Sequence, residues 1–174
     1  MDGIEQTAKK AIKGDDDAFL HLMNVYKLDL YKTALAFLRN DEEALEAVQE
    51  VTFRAYKGIR KLRDATYVKT WLIRIMINYC NDVLRKKKRF VLDEEFILAQ
   101  GKAENKESLE LWDAMQSLDP RSQEILALKY FQDLKIKEIA AALNYPEGTI
   151  KTWLNKALKS LKGKLEDKGG RYHA

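Results

Sequence analysis

Residues that interrupt helices are scarce in this chain, and this scarcity strongly limits the folds it can adopt. The 174 residues include only two prolines and eight glycines. No stretch sustains the apolar–polar alternation that marks a half-buried strand, whereas apolar residues recur at helical spacing along most of the sequence. We therefore predict an all-α protein.

Spacing and capping signals place the helices. Acidic residues after Arg39–Asn40 suit the positive end of a helix dipole, and Asp119–Pro120 pairs a cap residue with proline at the first helical position. The predicted helices are Asp16–Leu38, one capped by Asp41 and ending near Gly58, one from about Val68 to Arg89, Leu109–Leu118 and Ser122–Phe131.

The run Ile136–Leu158 reads as two short helices joined by a tight turn. Ala140 is small enough for close helix crossing, and Asn144 tolerates the left-handed conformation that a turn requires. Ile150 would fill the angle between the helices, with Thr149 as a candidate cap for the second. This pattern predicts a helix-turn-helix, although a helical hairpin inside an ordinary bundle has the same spacing.

The second helix of this motif carries polar and cationic residues on the faces that its apolar stripe leaves free. Lysines suit phosphates, and Asn and Thr suit base edges in a DNA major groove. In the alternative hairpin, the lysines would merely be solvated. The candidate DNA-contacting residues are Thr149, Lys151, Thr152, Asn155, Lys156 and Lys159.

A second basic segment, Tyr67–Arg89, combines aromatic rings, two amides and five consecutive cations. Cations follow a phosphate backbone, rings stack on unpaired bases, and amides read a base lifted from the stack. This combination favours melted or single-stranded nucleic acid. Trp71 and Tyr79 lie on or near the apolar stripe, however, so a core role is the competing interpretation.

Charge and periodicity divide the chain. Residues 1–90 carry a net charge of +5, residues 91–108 a net charge of −3 and residues 109–174 a net charge of +2. Helical periodicity lapses in the acidic segment, which we interpret as a flexible linker. The predicted architecture is two small helical domains, an N-terminal bundle at 1–90 and a helix-turn-helix domain at 109–174, joined by the linker 91–108.

Other classes of protein find little support in the sequence. No apolar run approaches the roughly 20 residues of a membrane span, and the N-terminus lacks the pattern of a signal peptide. Cys80 is the one cysteine, which suits a reducing cytoplasm, and His21 and His173 have no second ligand nearby. We find no catalytic constellation, metal site or cofactor motif, and we expect no enzymatic activity.

Three blocks of sequence together resemble the extracytoplasmic-function (ECF) group of bacterial RNA polymerase sigma factors. They are GDDDAFLHLMNVYKLDLYKTALAFLRN, then EALEAVQEVTFRAYKGI with TWLIRIMINYCNDVLRKKKR, and LDPRSQEILALKYFQDLKIKEIAAALNYPEGTIKTWLNKALKSLK. Their order and joint presence are specific. The resemblance implies a transcription initiation factor that binds core polymerase, directs it to promoters and helps to melt the minus-10 region.

The resemblance also implies roles for residues of the N-terminal domain. Glu46, Gln49 and Glu50 match the surface that docks on the clamp helices of the largest polymerase subunit. The family's aromatic three residues after the glutamine is replaced by Thr52, with Phe53 next. Residues matching the minus-10 capture site and its backbone contacts are Asn78, Asn81, Asp82, Arg85, Lys86, Lys87, Lys88 and Arg89.

In the C-terminal domain, the helix-turn-helix would read the minus-35 element as duplex. Relatives often have arginine at the position of Trp153, so this chain loses one candidate contact there. The resemblance further implies an anti-sigma partner, commonly membrane-bound, without membrane insertion of this chain. The alternatives are an autonomous helix-turn-helix regulator that needs no polymerase and a helical module that binds only protein.

Overall fold

The computed structural model describes residues 2–93 and 106–169, and all regular structure in these two ranges is helical. The predicted all-α fold is confirmed. The chain divides into two compact units, Met1–Ala99 and Gln100–Ala174. Within the described residues, no helix combines the length and the apolar character needed to cross a membrane.

The N-terminal unit is built around its second helix, which packs against the other three helices. Large apolar side chains on these helices, among them Leu30, Phe37, Leu72 and Ile77, are almost fully buried. The helices are α1 (Asp2–Ile12), α2 (Asp16–Leu38), α3 (Asp41–Gly58) and α4 (Val68–Asp93), with short 3-10 turns at Ile59–Lys61 and Ala65–Tyr67.

Helix α1 is an element that our sequence analysis missed. Its apolar residues Ile4, Ala8, Ala11 and Ile12 recur at helical spacing, and Ala8 and Ala11 are buried against the rest of the unit. The signal was therefore present, but it is short, and two of its four apolar residues are alanines. Such a helix gains its stability from the surface on which it packs rather than from its own length.

At the junction between α2 and α3, the N-cap of α3 differs from the predicted Asp41. Arg39 ends α2 in the left-handed conformation, at φ 55°, and its N–H donates to the carbonyl of Leu35. The side-chain oxygen of Asn40, rather than that of Asp41, accepts a hydrogen bond of 2.9 Å from the N–H of Glu43. Asp41 is the first helical residue, where its charge suits the helix dipole.

Helices α3 and α4 approach closely at Gly58. A Cβ at this position would lie 3.2 Å from Cζ2 of Trp71. Glycine therefore allows the indole ring of α4 to lie directly against the end of α3. The sequence left open whether Trp71 is a core residue or a ring that stacks on bases. The side chain is half-buried in this contact, which is intermediate between the two.

The C-terminal unit consists of α5 (Lys106–Gln116), α6 (Pro120–Leu126), a π-helical turn at Ala127–Phe131, α7 (Ile136–Leu143) and α8 (Glu147–Gly169). Asp119 caps α6 as predicted, since its side chain accepts from the N–H of Ser122. The amide of buried Gln123 donates to the carbonyls of Gln116 and Leu118, which ties α6 to the end of α5.

The predicted linker is shorter than expected at both ends. Helix α4 continues to Asp93 and α5 begins at Lys106, so residues 91–93 and 106–108 are helical. Helical periodicity was a poor guide here because Phe90, Val91 and Leu92 are consecutive apolar residues, whereas the first three residues of α5, residues 106–108, are all polar. The remainder of the predicted linker, residues 94–105, lies outside the described residues.

Helices α7 and α8 form the predicted helix-turn-helix. Asn144 adopts the left-handed conformation, at φ 58°, and Ile150 is completely buried between the helices. Ala140 is almost fully buried at the crossing. The cap prediction for Thr149 is wrong, because α8 already begins at Glu147 and the N–H of Thr149 donates to the carbonyl of Pro146 within the first turn.

Candidate nucleic-acid interface

The exposed side of α8 forms a polar surface, which we call the α8 surface. It lies opposite Ile150, Leu154 and Ala157, which anchor the helix in the core of the C-terminal unit. Thr149 is half-buried at the start of the helix. The exposed members of the surface are Lys151, Thr152, Asn155, Lys156 and Lys159.

The α8 surface is cationic and uncompensated. Within the part of the chain that the structure describes, Lys151, Lys156 and Lys159 have no carboxylate at salt-bridge distance, whereas Lys162 further along the helix lies 3.8 Å from Glu166. The hydroxyl of Thr152 donates to the carbonyl of Gly148 at 2.9 Å. The surface therefore offers three free ammonium groups and one amide to a polyanion.

Trp153 lies at the flank of this surface and is half-buried. Its ring packs against the apolar core of the C-terminal unit. It also meets the ring of Tyr145 edge-on, with centroids 4.7 Å apart and an interplanar angle of 71°. The guanidinium of Arg121, from the start of α6, lies over it at 4.2 Å from the ring centroid.

A second surface runs along α4 in the N-terminal unit. Asn78 is exposed, while Asn81 and Asp82 are half-buried beside it. The rings of Tyr67 and Tyr79 are also half-buried, and Arg54 from α3 lies over the Tyr79 ring at 5.1 Å from its centroid. The structure thus brings the predicted amides together, with their aromatic neighbours only partly covered.

Two of the cations near the end of α4 already have partners within the protein. Arg85 Nη2 lies 3.0 Å from Asp82 Oδ1, and Lys87 Nζ lies 2.6 Å from Glu43 Oε1. Lys86 has no carboxylate at salt-bridge distance among the described residues. Lys88 and Arg89 belong to α4, but their side chains lie outside the described residues.

A shallow pocket of about 220 Å³ opens between α3 and α4. Burial, followed by the nearby charges of Glu50 and Glu46, raises the pKa of Tyr79, which forms part of its wall. A phenol is already neutral at physiological pH, and this shift extends to higher pH the range in which Tyr79 keeps its hydrogen to donate. The pocket is lined by Arg54, Tyr79, Asp82, Val83, Arg85 and Lys86.

The exposed side of α3 carries the residues predicted to bind polymerase. Glu46 and Gln49 are exposed, whereas Glu50 is half-buried and accepts a hydrogen bond of 3.0 Å from Arg54 Nε. Sequence reasoning missed that Leu45 and Phe53 lie on this same side, with 49% and 54% of their surfaces exposed. Large exposed apolar side chains among polar ones are typical of a protein-binding surface.

The position of Phe53 also clarifies the departure from the family pattern. The hydroxyl of Thr52 donates to the carbonyl of Val48 at 2.7 Å, so Thr52 is hydrogen-bonded within its own helix. Phe53 supplies the exposed ring instead, with Lys57 Nζ 4.1 Å from its centroid. The aromatic character of this turn is therefore retained one residue later.

Two observations on the described residues concern metal binding and thiol chemistry. No grouping of three or more His, Cys, Asp or Glu residues in these ranges is arranged to hold a metal ion. The Cys80 thiol is buried in α4, and burial raises its pKa to about 12, so it is not a nucleophile at neutral pH. The surfaces on α3, α4 and α8 remain as the candidate functional sites.

Solved structures with the same fold match both units. One is CnrH in complex with the cytosolic domain of CnrY, with a TM-score of 0.67 and 21% identity, covering 94% of this chain and 97% of that one. Another is the sigma factor RpoE in complex with the anti-sigma factor NepR from Bartonella quintana, with a TM-score of 0.59 and 21% identity, covering 85% of this chain and 96% of that one.

Sequence comparison assigns the family. The family model of Sigma-70 region 2 matches residues 22–90, and that of Sigma-70 region 4 matches residues 108–161. The ECF RNA polymerase sigma factor SigW of Bacillus subtilis is 32% identical over 182 residues, covering 94% of this chain and 97% of SigW. RNA polymerase sigma factor SigV of the same organism is 34% identical, covering 80% of this chain and 86% of SigV. The chain therefore belongs to the ECF group of RNA polymerase sigma factors.

Proposed function

We propose that this chain initiates transcription as a specificity subunit, with each unit serving one promoter element. Residues 1–90 bind core polymerase and open the minus-10 region, and residues 109–174 read the minus-35 duplex. The segment 91–108, whose ends continue α4 and α5, links the two domains. One observation supports this proposal most strongly. The two surfaces whose chemistry suits DNA, on α4 and α8, lie within the segments that match Sigma-70 regions 2 and 4, respectively. The catalytic step belongs to the polymerase, and the chain acts with it in the bacterial cytoplasm.

On α4, Asn78 is the residue best placed to hold a base taken out of the stack. It is exposed on the helix, and Asn81 and Asp82 flank it. An amide offers both a donor and an acceptor, which is the chemistry that recognises a base edge. The cations that follow, Arg85, Lys86, Lys87, Lys88 and Arg89, supply backbone contacts that add affinity without sequence preference.

On α8, the roles follow from exposure and chemistry. Lys151, Lys156 and Lys159 bind phosphates, and Thr152 and Asn155 face base edges, with Thr149 at the entry of the helix. Phosphate contacts release counterions, so binding of the upstream duplex weakens with salt.

On α3, we propose that Glu46, Gln49 and Glu50 contact the clamp helices of the largest polymerase subunit together with Phe53. The support is the exposed apolar area of Leu45 and Phe53 among polar neighbours. A buried aromatic anchor surrounded by polar contacts is the usual source of binding energy in protein interfaces.

An anti-sigma protein is the proposed antagonist, by analogy with the solved complexes. CnrH is bound to the cytosolic domain of CnrY, and RpoE is bound to the anti-sigma factor NepR. A membrane-bound antagonist would keep this chain from polymerase until a signal releases it. The chain itself needs no insertion into the membrane for that regulation.

The decisive experiment combines a pull-down on bacterial core polymerase with promoter-dependent run-off transcription. We expect binding and a specific transcript from the wild-type chain, and a loss of polymerase binding in Phe53→Ala. The matched control is Leu111→Ala, which removes a comparably exposed apolar side chain from the other unit. A chain that neither binds polymerase nor directs initiation would refute the proposal. Specific duplex binding without polymerase would instead support the autonomous regulator, which the joint match to both sigma regions does not favour.

A further inference from the structure

Arg121 lies beside the α8 surface although it belongs to a different helix. It is the second residue of α6, and its side chain is exposed. Its guanidinium carbon lies 4.2 Å from the ring centroid of Trp153 and 5.3 Å from that of Tyr145. Trp153 is on α8 and Tyr145 is in the turn before it, so the fold brings a cation from α6 to the edge of the DNA-reading helix.

The two rings form an anchored support for this guanidinium. They meet edge-on at 4.7 Å, and Trp153 is held by the apolar core beneath it. Attraction between a cation and an aromatic face restricts the side chain but consumes none of its hydrogen-bond donors. The five N–H groups of arginine lie in the guanidinium plane, so they stay available to an oxyanion.

The charge of Arg121 is also available. Among the described residues, it has no carboxylate at salt-bridge distance, in contrast to Arg85 with Asp82 on α4. Trp153 lies one helical turn from Lys156, which is exposed on the α8 surface. A fixed, unpaired guanidinium beside exposed lysines is suited to bidentate binding of a phosphate.

We propose that Arg121 binds a backbone phosphate of the upstream promoter duplex, and that Tyr145 and Trp153 are positioning residues that hold its guanidinium at the wall of the major groove. The inference rests on the proposed role of α8. A helix in a groove about 12 Å wide has phosphates on both sides, and Arg121 flanks α8 on one of them.

The test measures binding of the full chain, reconstituted with core polymerase, to a duplex that contains the upstream element and ends before the minus-10 region. The duplex is taken from promoter fragments that the wild-type holoenzyme selects. Arg121→Ala should weaken binding roughly three- to tenfold and reduce the slope of log K against log salt by about 0.9. The loss should be equal on matched and mismatched upstream elements, because a phosphate contact carries no sequence information.

Positioning is tested by a double-mutant cycle. Tyr145→Ala should weaken binding while leaving every charge in place, and adding it to Arg121→Ala should cause little further loss. Trp153→Phe keeps a ring at the core and provides a second, milder support variant. Lys129→Ala is the matched control, because Lys129 also lies over a ring of the same unit, 5.8 Å from the centroid of Tyr130. It should leave the salt slope unchanged.

The outcomes separate this inference from the proposed function. If Arg121→Ala binds like the wild type while the Lys151→Ala/Lys156→Ala variant loses affinity and salt slope, the phosphate contact is wrong and the role of α8 stands. Additive losses in the cycle would overturn the positioning role of Tyr145. If the wild-type holoenzyme shows no upstream-element binding, the proposed function itself fails.

Discussion

Lys87 Nζ lies 2.6 Å from a carboxylate oxygen of Glu43, and this ion pair joins α4 to the first turn of α3. Lys87 is one of the five cations predicted to hold the DNA backbone, so DNA must compete with Glu43 for it. The side chains are 47% and 29% exposed. An exposed pair of this kind contributes at most about 1 kcal/mol, so a phosphate can displace the carboxylate.

Replacing Glu43 by Gln should therefore strengthen DNA binding by the α4 surface. The change frees Lys87 to pair with a phosphate, and the salt dependence should steepen by up to about 0.7 in slope on single-stranded DNA. The measurement is holoenzyme affinity for a melted minus-10 fragment at several salt concentrations. Glu42→Gln makes the same charge change in the same turn, at an exposed residue. Equal gains in both variants would mean that net charge alone is responsible.

Replacing Asn78 by Ala should impair promoter opening without affecting polymerase binding. The exposed amide is lost, so the preference for one base in the minus-10 element should weaken about tenfold, in line with the roughly 1–3 kcal/mol of a good base contact. Permanganate footprinting on promoters that differ at each minus-10 position provides the measurement. Asn24→Ala, at an exposed residue of α2, is the control. Unchanged opening and unchanged base preference would remove Asn78 from the site.

Local signals in the sequence were sufficient to predict most of the helices. Helix α2 has the predicted bounds, Asp16–Leu38, because its apolar spacing is long and breakers stand at both ends. The start of α6 at Asp119–Pro120 and the helix-turn-helix could likewise be predicted, since residues that cap helices or adopt left-handed turns have few alternative roles. The short helix α1 was missed, since packing rather than sequence pattern determines such an element.

The site was only partly readable from the sequence. Residue chemistry suggested the α4 and α8 surfaces, and the specific roles of their residues stay predictions. The pairing of Lys87 with Glu43 and the contact of Arg121 with Trp153 join residues more than 30 positions apart. No local periodicity encodes such pairs, because the tertiary packing of separate helices brings them together. The exposure of Phe53 has the same origin, since either side of α3 could have faced the core.

Replacing Gly58 by Ala should destabilise the N-terminal unit by about 1 kcal/mol. Overpacking costs roughly 1–3 kcal/mol, while the better helix propensity of alanine returns up to about 1 kcal/mol. The new Cβ would lie 3.2 Å from the Trp71 ring, so the ring must move. Denaturant unfolding followed by Trp71 fluorescence in a Trp112→Phe/Trp153→Phe background measures the change.

Gly163→Ala is the matched control for Gly58→Ala. Gly163 lies within α8, and a Cβ there meets nothing within 4 Å. The same substitution should therefore stabilise the C-terminal unit by about 0.5–1 kcal/mol through helix propensity alone. Stabilisation at both positions would show that the Trp71 contact adapts at no cost.

Stability should fall as the pH rises above about 9, with Cys80 as one identifiable cause. Burial raises the pKa of its thiol from 9.0 to about 12. Between these values the unfolded chain releases the proton and the folded chain keeps it, so each pH unit costs up to about 1.4 kcal/mol of stability. Cys80→Ala should show a shallower alkaline decline in denaturant unfolding. Tyr31, Tyr56 and Tyr79, whose pKa values are also raised, act equally in both proteins. Parallel pH profiles would contradict the assignment.

The division of the chain into two compact units, Met1–Ala99 and Gln100–Ala174, determines how promoter affinity accumulates. When one unit is bound, the other meets its element at an effective concentration set by the chain between them. The two modest affinities then combine into strong binding only where the two promoter elements are separated by a distance that both units can span. The distance between the two elements thus becomes part of the promoter that the protein selects, although no side chain reads it.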